Sequence, residues 1–181
     1  MEKPILYCDC DGVIFNTIDI GFQLMEQKGC DMNNHDEIDR YFREELDWRE
    51  IFEYAVEINN SIEYLEELRK SGYFKKVFIH TGLSGSYFEE GTKRDIFSIR
   101  LPKIKVITSQ RGLPKALVVR DPVGNILVDD ELKNCLSWEK YGGTAIIFSQ
   151  QGMDLEHNRI DNLLDIPNTY GYKKLIKTRN F

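Results

Sequence analysis

The chain has few cysteines and histidines and no long apolar run, and each shortage removes a class of protein. Its four cysteines, Cys8, Cys10, Cys30 and Cys135, share no repeated pair spacing, and the three histidines form no cluster beside them. Neither a zinc site nor a disulfide framework is supported. Cys8 and Cys10 alternate along an apolar segment, the pattern of buried reduced thiols. No apolar segment approaches membrane-spanning length, and the run at the start of the chain is too short for a signal peptide, so no membrane partner and a cytoplasmic location are the expectations. No Lys/Arg run interleaves with aromatic residues, and the formal net charge is -6, so a polyanion meets no long-range attraction. Nucleic acid is disfavoured as a partner. Internal repeats, low-complexity stretches and Pro/Gly/Ser linkers are also missing.

What is present suits one compact body. At 181 residues the chain has room for one domain and a small insert, and 41% hydrophobic with 12% aromatic residues can fill its interior. Ile5 to Cys8, Lys76 to His80, Ile104 to Thr108, Asn125 to Val128 and Thr144 to Phe148 are short apolar runs with the character of buried strands. Helical patterns separate them, at Asn16 to Lys28, residues 86 to 98 and Leu132 to Tyr141, with a further stripe of Ile62, Leu65 and Leu68 ending near Gly72. Strands alternating with helices predict a parallel sheet covered on both faces. The fold class expected is therefore α/β, a three-layer α/β/α sandwich with a parallel, Rossmann-like sheet. Residues 1–16 and 72–181 form its core domain, and 17–71 form a small helical cap insert.

In such a sheet ligands gather at the carboxyl ends of the strands, and three of these strands end in reactive groups. The first delivers Asp9 and Asp11, the second Thr81 and Gly82, and the fourth Asp129 and Asp130. Right-handed crossovers bring those tips together. Four carboxylates in one crevice repel one another unless a cation or shared protons intervene, and a hard divalent ion, Mg2+, is the economical answer.

The run Asp9-Cys10-Asp11-Gly12-Val13-Ile14 after an apolar strand resembles the first motif of haloacid dehalogenase-like phosphatases, and the later pieces follow in that family's order. The resemblance spans about residues 5 to 148. It implies that Asp9 is the nucleophile that forms an aspartyl-phosphate, while Asp11 protonates the leaving oxygen and later activates water. It also implies that Thr81 and the amide of Gly82 hold a phosphate oxygen. Asp130 becomes the direct magnesium ligand and Asp129 either supports it from behind or acts through water, with Asp9 and the backbone carbonyl of Asp11 completing the protein's share. The family's phosphate-neutralising lysine has two candidates, Lys115 after the third strand and Lys93 on the preceding helix, and Lys115 is preferred. Phe15 and Asn16, just past the first motif, are placed for substrate contact. His80 and the aromatic pair Trp48 and Phe52 read as packed side chains.

The activity implied is hydrolysis of small phosphate monoesters, because a cap beside the nucleophile can close over a metabolite and exclude water. The short cap, the Asp9-Cys10-Asp11-Gly12-Val13 loop and the Leu-Val-Asp-Asp ending are similar to 5'(3')-deoxyribonucleotidases, which puts nucleoside monophosphates first among partners. A phosphatase for sugar phosphates or another metabolite stands as the alternative, phosphomutase chemistry as a weaker option, and a non-catalytic binding module on the same fold as a reading of another class. Sequence leaves the oligomeric state open.

Overall fold

A computed structural model describes residues 2–179. Six strands, β1 (Ile5–Cys8), β2 (Lys76–Gly82), β3 (Lys105–Ser109), β4 (Ile126–Asp129), β5 (Thr144–Phe148) and β6 (Arg159–Ile160), form one sheet in the order β3-β2-β1-β4-β5-β6, every pair parallel. The central position of β1 follows from its composition. Leu6 and Cys8 enter the core on one face, Tyr7 is buried on the other, and a strand buried on both faces needs a partner on each edge. Its register sets Cys8 beside Ile79 of β2 and Val128 of β4, so the three strands end at one level. The five expected strands are all found; the sixth has two residues, too few to register as an apolar run.

The described residues form eight α-helices, five of which cover the sheet. Helices α6 (Lys115–Val118) and α7 (Leu132–Lys140) lie on the face where Tyr7, Leu127, Trp138 and Ala145 pack together. The other face holds α4 (Ser61–Lys70), α5 (Glu89–Arg100) and α8 (Tyr170–Thr178), with Leu65, Leu68, Phe97 and Tyr172 in one cluster with Leu6, Cys8 and Ile79. Full burial of a side chain of this size stabilises the fold by about 1.5–3 kcal/mol. The segment beyond β5 is thereby anchored, since Ile160, Leu163 and Ile166 belong to the same cluster.

The long connection from β1 to β2 also carries α1 (Thr17–Gln27), α2 (His35–Arg40), a π-helical turn Tyr41–Glu45 and α3 (Trp48–Tyr54). Local chemistry sets their ends. Gly29, at φ 75, stops α1; the Asn34 side chain accepts from the backbone N–H groups of Asp36 and Glu37 at the start of α2, and Asp47 accepts from that of Arg49 at the start of α3. These elements have a cluster of their own, Ile20, Leu24, Met25, Tyr41, Leu46, Trp48 and Ile51. Helix α4 instead packs on the sheet, so within 17–71 the packing divides near Ala55, which touches both clusters along with Phe52. Two backbone stretches join the helical unit to the sheet: Ile58 N–H donates to Ile14 O at 2.9 Å, Asn16 N–H to Val56 O at 3.2 Å, and Val56 N–H to the Asn16 side chain at 2.7 Å. Among the described residues no helix is long and apolar enough to cross a membrane.

Candidate active site

The loop after β1 is shaped by its own backbone. Asp9 N–H donates to Val128 O at 2.9 Å, which extends the β1–β4 ladder by one step and holds Asp9 against β4. The chain then coils: Gly12 N–H donates to Phe15 O at 2.8 Å and Ile14 N–H to Cys10 O at 2.8 Å. Gly12 takes φ +74, and a Cβ there would collide with the Asp130 carboxylate, so this position needs glycine for two independent reasons.

Asp9, Asp129 and Asp130 converge, with one carboxylate oxygen of each within 4.8 Å of the others. Asp9 and Asp129 are buried and Asp130 is open to solvent. The ammonium of Lys115 lies 2.7 Å from Asp9 Oδ1 and 2.7 Å from Asp129 Oδ2. Asp9 Oδ1 also accepts from Cys10 N–H at 2.8 Å, and Asp129 Oδ1 accepts from Glu131 N–H and Asn134 Nδ2 at 3.0 Å each. Three all-oxygen donors around one point suit a hard divalent cation. The α6 helix starts at Lys115 directly after Pro114, which ends the preceding loop and sets the lysine at the first turn.

The carboxylate of Asp11 faces elsewhere. Its Oδ1 accepts from Thr17 Oγ1 at 2.6 Å, and its Oδ2 accepts from Thr81 Oγ1 at 3.1 Å and Lys93 Nζ at 2.6 Å. Lys93 is 0% exposed and also donates to Glu89 Oε1 at 2.8 Å and Gly82 O at 3.1 Å. Both lysines weighed from sequence thus reach the crevice, each on a different carboxylate of the first motif. Glu89 was not singled out, although its i,i+4 spacing to Lys93 was a readable signal. Its second oxygen accepts from Ser84 N–H and Ser84 Oγ at 2.6 and 2.7 Å. Ser84 Oγ in turn lies 3.0 Å from Phe42 O, and Ser86 Oγ donates to Leu46 O at 3.0 Å, so the loop after β2 is tied to the helical unit.

Charge and burial set the protonation of these groups. With no cation bound, burial pushes the Asp9 carboxyl well above the usual carboxylate range, Lys115 opposes the push, and Asp129 and Asp11 add to it. Asp130 is raised to about 6 by lost solvation and by the charge of Asp129. Burial also works to raise Asp11, but the Lys93 ammonium and the hydrogen bonds from Lys93, Thr17 and Thr81 hold it below its ordinary value. For both lysines burial disfavours the charge, and the paired carboxylates overcome it. His80 is buried, pairs through Nε2 with Ser109 Oγ at 2.7 Å and is pushed down to about 3 by burial and by Lys115, the packed neutral histidine its strand position predicts.

Two cavities flank the carboxylates. One, of about 240 Å³, is bounded by Gly82, Lys115 and Asn134. The other, of about 530 Å³, is bounded by Gly12, Asn16 and Asp130. Phe15, expected at the substrate, lines neither: it is 3% exposed, 5.5 Å from the Phe52 ring and 5.9 Å from that of Phe97, because the coil after Gly12 turns its side chain into the core.

No protein-family model matches the chain, and no curated protein matches its sequence. Solved structures do share its fold. A haloacid dehalogenase-superfamily hydrolase of subfamily IA from Geobacter sulfurreducens superposes with a TM-score of 0.60 at 17% identity, over 92% of this chain and 98% of that one. The hydrolase YfnB from Bacillus subtilis, solved with magnesium, gives a TM-score of 0.62 at 12% identity over 93% and 98%. D,D-heptose 1.7-bisphosphate phosphatase from B. bronchiseptica, complexed with magnesium and phosphate, gives 0.53 at 13% identity over 97% and 99%. The chain therefore has the α/β fold of the haloacid dehalogenase-superfamily hydrolases.

Proposed function

We propose that this chain is a magnesium-dependent phosphatase that hydrolyses small phosphate monoesters through a phosphorylated Asp9. The observation that carries the proposal is Lys115, held 2.7 Å from both Asp9 and Asp129 beside the exposed carboxylate of Asp130. The lysine offsets two buried negative charges, and a hard cation between the three aspartates offsets the rest. Asp9, Asp129 and Asp130 would hold that ion, with the Asp11 carbonyl as a further donor, and its charge supplies Lewis-acid stabilisation of the phosphoryl oxygens.

Asp9 attacks phosphorus in line, and the P–O bond to the leaving group breaks as the Asp9–P bond forms. Asp11 serves the leaving oxygen. Its carboxylate is oriented by Thr17, Thr81 and Lys93, and the negative charge of a bound phosphate raises its affinity for the proton it must deliver. In the second half Asp11 takes a proton from water, which attacks the acyl-phosphate and regenerates Asp9. Thr81, buried with its hydroxyl donating to Asp11, acts through that carboxylate, and the Gly82 amide would hold a phosphate oxygen. The helical unit, docked through Ser84 and Ser86, limits water at the reacting centre.

The substrate is a phosphorylated small metabolite. The fold it shares with D,D-heptose 1.7-bisphosphate phosphatase supports a sugar phosphate ahead of the nucleoside monophosphate that the first motif suggested. The primary test is hydrolysis of 4-nitrophenyl phosphate with and without magnesium, in the native chain and in Asp9→Asn. Magnesium-dependent turnover abolished by Asp9→Asn is expected. Turnover that survives this substitution would falsify Asp9 as nucleophile, and no turnover at any pH would favour a binding module.

A further inference from the structure

The larger cavity opens on the carboxylate cluster, since Gly12 and Asp130 both line it. One wall is the start of α1, with Asn16 and Asp19. The opposite wall comes from the segment after β5, with Ser149, Gln150 and Arg159. Backbone bonds hold that segment in shape: Ser149 N–H donates to Ile160 O at 2.8 Å, and Asp154 and Arg159 exchange N–H···O bonds of 2.9 and 2.7 Å. Gln150 and Arg159 are exposed, and Arg159 makes no ion pair among the described residues.

The larger cavity is lined by Gly12, the neighbour of Asp11, whereas Asp11 itself lines neither. Its Oδ1 accepts from Thr17 Oγ1 at 2.6 Å, at the first residue of α1, whose Asp19 lines that cavity, while its Oδ2 is held by Thr81 and Lys93; the proton donor borders the α1 wall through Oδ1. The leaving oxygen must lie beside that donor. The smaller cavity is bounded by the 109–115 loop and α7 and has no residue of the helical unit. The chemistry of the larger cavity is also specific. Its wall offers amide, carboxylate, hydroxyl and guanidinium groups, which together donate to and accept from hydroxyl groups. Phe148 is the one aromatic residue lining it and is 2% exposed, so no ring face is available to stack on a nucleobase.

Resting on the phosphatase reading, we infer that Ser149–Arg159, facing Asn16 and Asp19, forms a subsite for the polyhydroxylated leaving group of a sugar phosphate, with Arg159 and Gln150 as its specificity residues. The test uses the full chain with magnesium, as native protein, Arg159→Ala, Arg159→Lys and Gln150→Ala, on glucose 6-phosphate, thymidine 5'-monophosphate and 4-nitrophenyl phosphate. The native protein is expected to prefer the sugar phosphate to the nucleotide. In Arg159→Ala the ratio of kcat/KM for glucose 6-phosphate over that for the aryl ester falls at least ten-fold, mainly through KM, with a smaller fall in Arg159→Lys and Gln150→Ala. A ratio within two-fold of native in all three variants, or a native preference for the nucleotide, overturns the subsite. If the aryl ester itself is not hydrolysed, the phosphatase reading fails, and the subsite is read from calorimetric binding of glucose 6-phosphate alone: ten-fold weaker binding in Arg159→Ala upholds it, and equal or absent binding in both proteins overturns it.

Discussion

The ammonium of Lys93 lies 4.0 Å from the ring centroid of Trp48, which joins the buried lysine of α5 to the core of the helical unit. The same ammonium holds Asp11 at 2.6 Å. Placement of the helical unit and orientation of the proposed acid–base group therefore share one side chain. A cation over an indole face contributes about 0.5–2 kcal/mol, the larger value when both are desolvated, as here.

Lys93→Met tests that sharing. The lysine depresses Asp11, so without it burial is opposed less and the Asp11 carboxyl rises. Asp11 delivers a proton in the first step, so the alkaline limb of the kcat/KM profile, which reports its deprotonation, moves to higher pH, and kcat falls on the order of 100-fold, the usual scale of acid–base assistance. Trp48→Leu keeps the Lys93–Asp11 pair; its alkaline limb stays in place while thermal stability drops. A shift of the limb in Trp48→Leu and none in Lys93→Met would reverse the assignment.

Lys115→Met leaves Asp9 and Asp129 without their buried counter-charge. Breaking a buried pair of this kind costs about 3–5 kcal/mol. The loss is expected in melting curves recorded with a chelator, and added magnesium should recover part of it by taking over the charge balance. Equal melting temperatures for the two proteins in the chelator would argue against the pairing.

Magnesium affinity should fall on acidification. Asp130 has its carboxyl raised to about 6, so it is ionised above that pH and protonated below it, and a protonated carboxyl is a poor ligand. Calorimetric titration at pH 7.5 and pH 5 should show weaker binding at the lower pH. The raised pKa values of Asp9 and Asp130 also mean that the metal-free fold binds more protons than the unfolded chain above the ordinary carboxylate pKa. On their account stability without metal declines as pH rises from about 4 through 6, and magnesium flattens the decline. Asp11, which is depressed, works in the opposite direction.

Gly12→Ala places a methyl against the Asp130 carboxylate at a backbone φ of +74. The left-handed conformation alone costs about 1–2 kcal/mol for a residue with a Cβ. Displacement of Asp130 should further weaken magnesium binding at least ten-fold. Gly29→Ala, at φ +75 with open space around it, carries the conformational cost alone, so the difference in metal affinity between the two variants isolates the contact with Asp130.

Much of this was open to inspection in the amino-acid order. The apolar runs before Asp9, Thr81 and Asp129 read as strands because burial on both faces leaves no polar alternation, and strand polarity then fixes which end carries the carboxylates. Other features were beyond local reading. Residues 159 and 160 make a strand only because β5 has a free edge for them. The stripe of Ile62, Leu65 and Leu68 announces a helix but not the surface it covers, and it docks on the sheet. Phe15 follows the Asp9–Gly12 loop in sequence, yet the coil after Gly12 points its ring inward.

Local chemistry by itself determined the alternating strands and helices, the glycine turn after Asp11 and the acidic strand tips, since each depends on residues within a few positions of one another. Tertiary structure alone decided that Lys115 meets Asp9 and Asp129 while Lys93 meets Asp11, and that the segment after β5 walls the cavity opposite α1. The reason is distance along the chain: 82 residues separate Lys93 from Asp11, and their meeting depends on how two crossovers close over the sheet.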